Sequence, residues 1–315
     1  MEESRRAFFS TIESIRGVLD EPYLQDKDPV SRQDNASARL MRNGLCVILF
    51  SQLEEYITNI ARSALRDISR SSVSYDDLPK FLRETLTIKA MRGILNSYSL
   101  DKDSEEATKL SFVKEEIGRV SSFGSNPRNF SGYGFNHSGS NLYADDIKDF
   151  FKCFSVEDGW GKLSSIASAL GASRPSLRDD FLNYARMRHT AAHKASADVP
   201  YSDLENMLDG VCIIGIAFDF FARMAVSYLV QSRSIEDFNS SMGYPRFDVQ
   251  KLFFDGHVYL ETRVSTESYR LARETKVIKR YISRVDAVKG AVSRSSADCV
   301  TVHDRRGMPV EFVAG

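Results

Sequence analysis

Two arginines and two histidines, Arg186, Arg188, His189 and His193, stand within ten residues of the stretch "YARMRHTAAHKASADVP", in a 315-residue chain with only five histidines. Histidine exchanges protons near neutral pH and arginine carries a permanent charge, so the combination suits three kinds of chemistry. At a helix C-terminus the cations complement the helix dipole, by about 0.3–1 kcal/mol each, with no catalytic role. Alternatively, His189 and His193, about 40° apart around a helix, would suit a shared metal ion. That reading lacks the glutamate of H-E-x-x-H, and Arg186, Arg188 and Lys194 oppose a divalent cation. The third chemistry is phosphodiester cleavage, in which His193 moves protons and Arg188 stabilises the charge that develops on phosphorus-bound oxygens. On an uninterrupted helix five residues rotate by about 500°, which leaves Arg188 and His193 about 140° apart. Their convergence then needs either a break in the helix or a second copy of the chain.

The elements that must position these residues are mostly helical. Apolar residues recur at helical intervals from about Arg5 to Leu19 and from about Asn35 to Arg70, where Leu40, Leu45, Ile48, Leu49, Leu53, Tyr56, Ile57, Ile60 and Ala64 predict a core helix. Further helices are expected over about Asp77–Leu95, Ser104–Val120, Ala144–Phe154 and Trp160–Leu170. A Gly/Ser/Asn-rich stretch at 121–145 reads as a long loop. Its Phe123, Phe130, Tyr133, Phe135, Arg128 and His137 mix π-faces with a guanidinium, which would suit stacked single-stranded bases or a loop tucked onto the domain.

The motif helix should start near Ser176, pack through Leu177, Phe181, Tyr184, Ala185 and Ala192, and end at Val199-Pro200. "SDLE", Ser202 to Glu205, has the form of a capping box for the next helix. That helix, "GVCIIGIAFDFFARMAVSYLV", is apolar nearly all round, yet Asp219 and Arg223 sit in its middle. It is expected to be central to a bundle or shared with a second subunit, not to span a membrane.

Beyond about Gln231 the pattern changes. "RFDVQKLFF" and "GHVYLETRV" predict strands joined around Asp255-Gly256, and "DCVTVHDRRGMPVEFV" a second hairpin turning at Arg306-Gly307. "SYRLARETKVIKRYISRV" between them predicts a helix with a basic face. Residues 241–315 hold 13 Lys plus Arg against 9 Asp plus Glu, in a chain of net charge −1. A nucleic-acid surface must therefore be local. Cys46, Cys153, Cys212 and Cys299 stand far apart, without a C-x-x-C pair, and are expected to be reduced and buried. The N-terminus has no uninterrupted apolar h-region, and residence in the cytoplasm is expected. The expected organisation is an N-terminal helix and linker over 1–34, a helical bundle over 35–232 and a small α+β domain over 240–315.

The string "RHTAAH", an R-x-x-x-x-H with a polar residue directly after the arginine, resembles the signature of the HEPN superfamily. "ILFSQLEEYITNI" is similar to an early helix of that family and places Glu54 at its glutamate position. "NLYADDIKDFFKCF" resembles the short-helix region of the RiboL-PSP-like bacterial groups. The resemblance covers about residues 35 to 230 and implies a mainly α protein, an HEPN-like helical bundle followed by the α+β unit. It implies a cofactor-free, metal-independent endoribonuclease working as a homodimer, with two motif copies in one cleft. Arg188 and His193 would be catalytic, His189 orienting or phosphate-contacting, and Glu54 a partner for Arg188 or a histidine. Arg186, Lys194, Arg128 and Arg280 are the candidate RNA contacts. Such bacterial proteins commonly act as toxins or antiviral effectors, which implies RNA as substrate and an antitoxin or defence protein as partner. A catalytically silent module that binds RNA or a protein is the alternative.

Overall fold

The structure, a computed structural model, describes residues 2–28, 30–125, 128–136, 141–172, 174–194, 196–294 and 299–314. In chain order it runs through α1 (Glu2–Leu19), α2 (Arg32–Asp67), α3 (Lys80–Glu84), α4 (Ala90–Leu100), α5 (Glu106–Val120), α6 (Ala144–Cys153), α7 (Gly159–Ala169), α8 (Leu177–His193), α9 (Tyr201–Gln231) and α10 (Ile235–Gly243). A π-helical turn, Thr85–Lys89, links α3 to α4. The C-terminal part adds β1 (Arg246–Phe254), β2 (Tyr259–Glu267), β3 (Arg270–Glu274), β4 (Lys279–Tyr281), α11 (Arg284–Arg294), β5 (Cys299–His303) and β6 (Pro309–Ala314). The fold is mainly α, a helical bundle with a small α+β portion at its C-terminal end, as the periodicities predict.

Contacts gather the chain into two compact units. One comprises Ile57–Lys162 and Asp219–Pro245; the other comprises Glu2–Tyr56, Leu163–Phe218 and Arg246–Gly315. In the first, the described part of the stretch expected to be a long loop, residues 121–125, 128–136 and 141–145, packs on the bundle through its aromatic residues. Phe130 and Phe135 are buried, Tyr133 lies over the Arg62 guanidinium at 4.4 Å, and exposed Phe123 packs on Tyr75 at 4.9 Å. The glycines of "SGYG" permit this approach: a Cβ on Gly132 would stand 2.6 Å from the Arg62 carbonyl oxygen, and one on Gly134 2.0 Å from that of Thr85. His137 lies outside the described residues. Phe151 stacks on Phe221 at 3.7 Å, within a cluster that includes Phe150 and Phe154.

The second unit carries the motif helix. Its α1 buries Phe8, Phe9, Ile12 and Ile15, with Phe8 stacked on Tyr56 at 4.2 Å. α2 and α8 depart from expectation at three positions. Leu40 and Ile48 are 66% and 50% exposed, because the buried stripe of α2 runs instead through Cys46, Leu49, Phe50 and Leu53. Ala192 is exposed as well, since α8 packs through Leu177, Phe181 and Tyr184 and its last turn projects past the core. In α9, 78% of the most apolar window is buried within the protein, and Asp219 is buried with it.

The C-terminal sheet has the order β3-β2-β1-β5-β6, with β4 also pairing β2. β1 and β5 are parallel and the other pairs antiparallel. Both predicted hairpins form, with Gly256 at φ +107° and Gly307 at φ +77°, backbone that favours glycine. The basic segment between them is not a helix but β3 and β4: Tyr259 pairs Tyr281 and Val264 pairs Glu274, so edge pairing overrides its helical charge spacing. α11 starts later, at Arg284, and packs Ala287 and Ala291 against Leu252, Val300 and Val302. All four cysteines are free and buried.

Candidate functional site

Ser176, near which the motif helix is expected to start, caps α8 by accepting the amide of Asp179 at 3.2 Å. Its first two turns are then anchored by a polar cluster. Arg174 donates to Asp180 Oδ2 and to Tyr184 Oη, each at 2.9 Å, and to the Asn206 carbonyl at 2.9 Å; Tyr184 donates to the same carbonyl at 3.1 Å. Burial pushes the Tyr184 phenol up to about 12, which keeps it a neutral donor. Gly210 of α9 permits this contact, since a Cβ there would stand 2.1 Å from Tyr184 Oη.

From this anchor α8 runs unbroken to His193, so the two motif ends stay about 140° apart around one helix. Arg188 is half-buried and turned towards α2, where its Nη2 lies 3.5 Å from Glu54 Oε2. His189 and His193 are exposed, and their rings neighbour each other with centroids 4.7 Å apart. Within one chain the fold therefore assembles two pairs, Arg188 with Glu54 and His189 with His193, and does not bring Arg188 to His193.

The helix stops at His193, not at Val199-Pro200. Lys194 is extended (φ −115°, ψ 116°), and its amide closes the last turn on Thr190 O at 3.0 Å. Two α2 residues that sequence reading passed over hold the segment that follows. Arg42, 1% exposed, donates to Val199 O at 2.7 Å and Leu24 O at 2.8 Å, and pairs with Asp198 at 2.9 Å and Asp26 at 3.1 Å. Asn43 Nδ2 donates to Ala197 O at 2.8 Å, while its Oδ1 accepts the Val199 amide at 3.1 Å. A signal for Arg42 exists in the sequence: it occupies the apolar stripe of Cys46, Leu49 and Leu53, where an arginine must find partners. Pro200 O then accepts the amides of Asp203 and Leu204, so α9 opens at Tyr201 and Ser202 falls inside its first turn rather than capping it.

The other candidate contacts are dispersed. Arg186 is exposed and donates to Asn183 Oδ1 at 3.1 Å. It lines a cleft of about 420 Å³ together with Asn183, Met187 and Thr190 of α8 and with Asp198 and Asp203. Lys194 is exposed beside His193 in sequence, and Arg280 is exposed on β4. Arg128 belongs to the other unit, where it donates to Val73 O at 2.8 Å and to Ser71 O and lies over Phe130. Its guanidinium fastens the 128–136 segment to the bundle. Among the described residues no group of three or more His, Cys, Asp or Glu side chains is arranged to hold a metal ion.

The chemistry available at the motif is proton exchange by two accessible imidazoles and charge stabilisation by an arginine with a carboxylate at its side. The family model described as RiboL-PSP-HEPN matches residues 18–219, a span that contains Glu54, Arg42, all of α8 and the first part of α9. No curated protein and no solved structure matches the chain. The C-terminal sheet lies outside the matched span.

Proposed function

The chain belongs to the RiboL-PSP-HEPN family of the HEPN superfamily, a family that points to RNA-related chemistry, and on that premise we propose that it is a metal-independent endoribonuclease acting as a homodimer. The observation that carries the proposal is the unbroken helix with an accessible His193 at its end and Arg188 a third of a turn or more away. In this reading the separation of about 140° leaves each copy supplying half of a site, and two copies facing each other through α8 would bring an Arg188 and a His193 to one phosphate. Dimerisation would thus complete a site that each chain only half supplies.

In the proposed reaction the ribose 2′-oxygen attacks phosphorus as its proton passes to an imidazole. The P–O5′ bond breaks, O5′ receives a proton, and the products are a 2′,3′-cyclic phosphate and a 5′-hydroxyl. The nucleophile belongs to the substrate and is already held beside the phosphorus, which removes the need for an activated water. His193 transfers the proton, Arg188 stabilises the phosphorane oxygens, His189 contacts phosphate, and Glu54 orients Arg188. Arg186, Lys194 and Arg280 contact the RNA backbone in this reading, which assigns the protein to toxin or antiviral action in the cytoplasm.

The test is cleavage of end-labelled RNA in EDTA. Cutting should persist, leave a 2′,3′-cyclic phosphate, and vanish when the scissile nucleotide carries 2′-deoxyribose. DNA cleavage that requires a metal would refute the mechanism. A second reading, a catalytically silent module that binds RNA or a partner protein, is favoured by one contact: Arg188 already faces the Glu54 carboxylate. RNA binding without turnover, unaffected by changes at His193, would support it.

A further inference from the structure

Away from the motif helix, the second unit holds a cleft of about 240 Å³ between α1 and the C-terminal sheet. Its wall is aromatic and aliphatic: Phe9 and Ile12 from α1, Phe254 and Tyr259 from the ends of β1 and β2, and Val302 and Val310 from β5 and β6. Phe254 and Tyr259 form a ring pair at 4.9 Å. The charged residues that line it are Arg16, Arg284, Arg305, Glu13 and Asp304.

The cations are not equivalent. Arg16 is engaged with Asp209 at 3.4 Å, and Arg284 with Glu311 at 2.7 Å and Glu13 at 3.1 Å. Arg305 is exposed, lies over the Phe254 ring at 5.2 Å from its centroid, and has no carboxylate partner among the described residues. An arginine spread on an aromatic face, with its charge unanswered, is prepared for an anion next to a flat ring.

Both turns that frame the cleft are locked before any ligand arrives. Asp255 Oδ1 accepts the amides of His257 and Val258, each at 2.9 Å, and shapes the β1–β2 turn. Asp304 Oδ1 accepts the amides of Arg306 at 2.9 Å and Met308 at 3.0 Å in the β5–β6 turn. Behind that turn the buried His303 lies between Gly307 O, at 3.0 Å from Nδ1, and Thr301 Oγ1, at 2.9 Å from Nε2. A preformed cleft spares the ligand the cost of ordering two loops.

We propose that this cleft binds a single unpaired nucleotide, its base against the Phe254–Tyr259 pair, its ribose hydroxyls towards Glu13, and its phosphate on Arg305. The size supports one ring system, being smaller than the roughly 300–1,000 Å³ of pockets for drug-sized ligands. Aromatic and guanidinium faces are the usual surfaces for splayed-out bases, and carboxylates accept from ribose hydroxyls. The nucleotide is either a residue of an RNA strand or a free mononucleotide, and the site does not depend on the cleavage reading of α8.

The 315-residue protein carrying His193→Ala, in which the proposed reaction is slowed too far to consume the probe during a titration, should be titrated with AMP by calorimetry and with a fluorescent oligo(A) decamer by anisotropy. Arg305→Glu should weaken binding by about tenfold or more, because a charge-assisted phosphate contact becomes a repulsion. Tyr259→Leu should weaken it while preserving an apolar wall, and Arg270→Glu on β3, outside the cleft, should leave it unchanged. If AMP displaces the decamer and Arg305→Glu affects both, the cleft holds a nucleotide of the strand. If Arg305→Glu affects AMP alone, the ligand is a free nucleotide. Absence of AMP binding together with a decamer affinity indifferent to Arg305→Glu would overturn the proposal, whatever the cleavage assay reports.

Discussion

Arg188 Nη2 and Glu54 Oε2 meet at 3.5 Å between α8 and α2, with both side chains largely shielded from solvent. The pair ties the motif arginine to a helix 134 residues earlier in the chain. It also sets the direction of the guanidinium before any substrate is present.

A double-mutant cycle with Arg188→Met and Glu54→Gln should therefore give a coupling of about 0.5–1 kcal/mol in urea denaturation, the range for a pair that is neither exposed nor fully desolvated. Under the proposed mechanism Arg188→Ala should cost cleavage about a hundred- to a thousandfold. Glu54→Gln should cost less, since it leaves the guanidinium in place and loosens only its orientation. Equal rates for Arg188→Ala and wild type would remove the arginine from the chemistry.

Mixing two inactive proteins tests the composite site. His193→Ala alone should lose about a hundred- to ten-thousandfold in rate. A heterodimer of Arg188→Ala with His193→Ala keeps one intact pairing of Arg188 from one copy with His193 from the other. Random exchange at equal concentrations should then restore about a quarter of wild-type activity, because half the dimers are mixed and each has one working site of two. No recovery, with subunit exchange demonstrated, would place each site within a single chain.

Arg42 offers a prediction about structure rather than chemistry. Replacing it with Ala strips donors from Val199 O and Leu24 O in a site that is 1% exposed, and should destabilise the fold by about 2–4 kcal/mol. Lys at this position should rescue only part, for lack of the planar fork that reaches four acceptors. Hydrogen exchange should locate the loss at residues 196–200. Uniform destabilisation, without faster exchange there, would show that Arg42 does not act as the clamp of that segment.

His303 makes stability depend on pH. Burial holds its ring neutral down to about pH 3 in the folded chain, whereas an unfolded histidine takes its proton near 6.5. Between those values the unfolded chain binds the extra proton, so the contribution is complete above about pH 6.5 and declines as the pH falls, by about 1.4 kcal/mol per unit. Urea midpoints at pH 7 and pH 5 should differ less for His303→Gln than for wild type. The same difference in both proteins would mean that other groups carry the acid sensitivity.

Much of this protein was legible from periodicity and turn chemistry. The helices, the start of α8 near Ser176, the two hairpins at Gly256 and Gly307 and the packed face through Leu177, Phe181 and Tyr184 all rest on local rules, in which residues a few positions apart decide the backbone. The motif too could be seen, because arginine and histidine at fixed helical spacing carry their chemistry with them. Tertiary structure decided what local rules cannot reach. The segment around Arg273 and Arg280 became strands because β2 offered it an open edge, and Phe130 and Phe135 turned inward because Gly132 and Gly134 let the backbone close on α2 and the π-helical turn. Arg42 found its four acceptors at residues 24, 26, 198 and 199, up to 157 positions away. Such partners are invisible to any short window, since only folding brings them within hydrogen-bond reach.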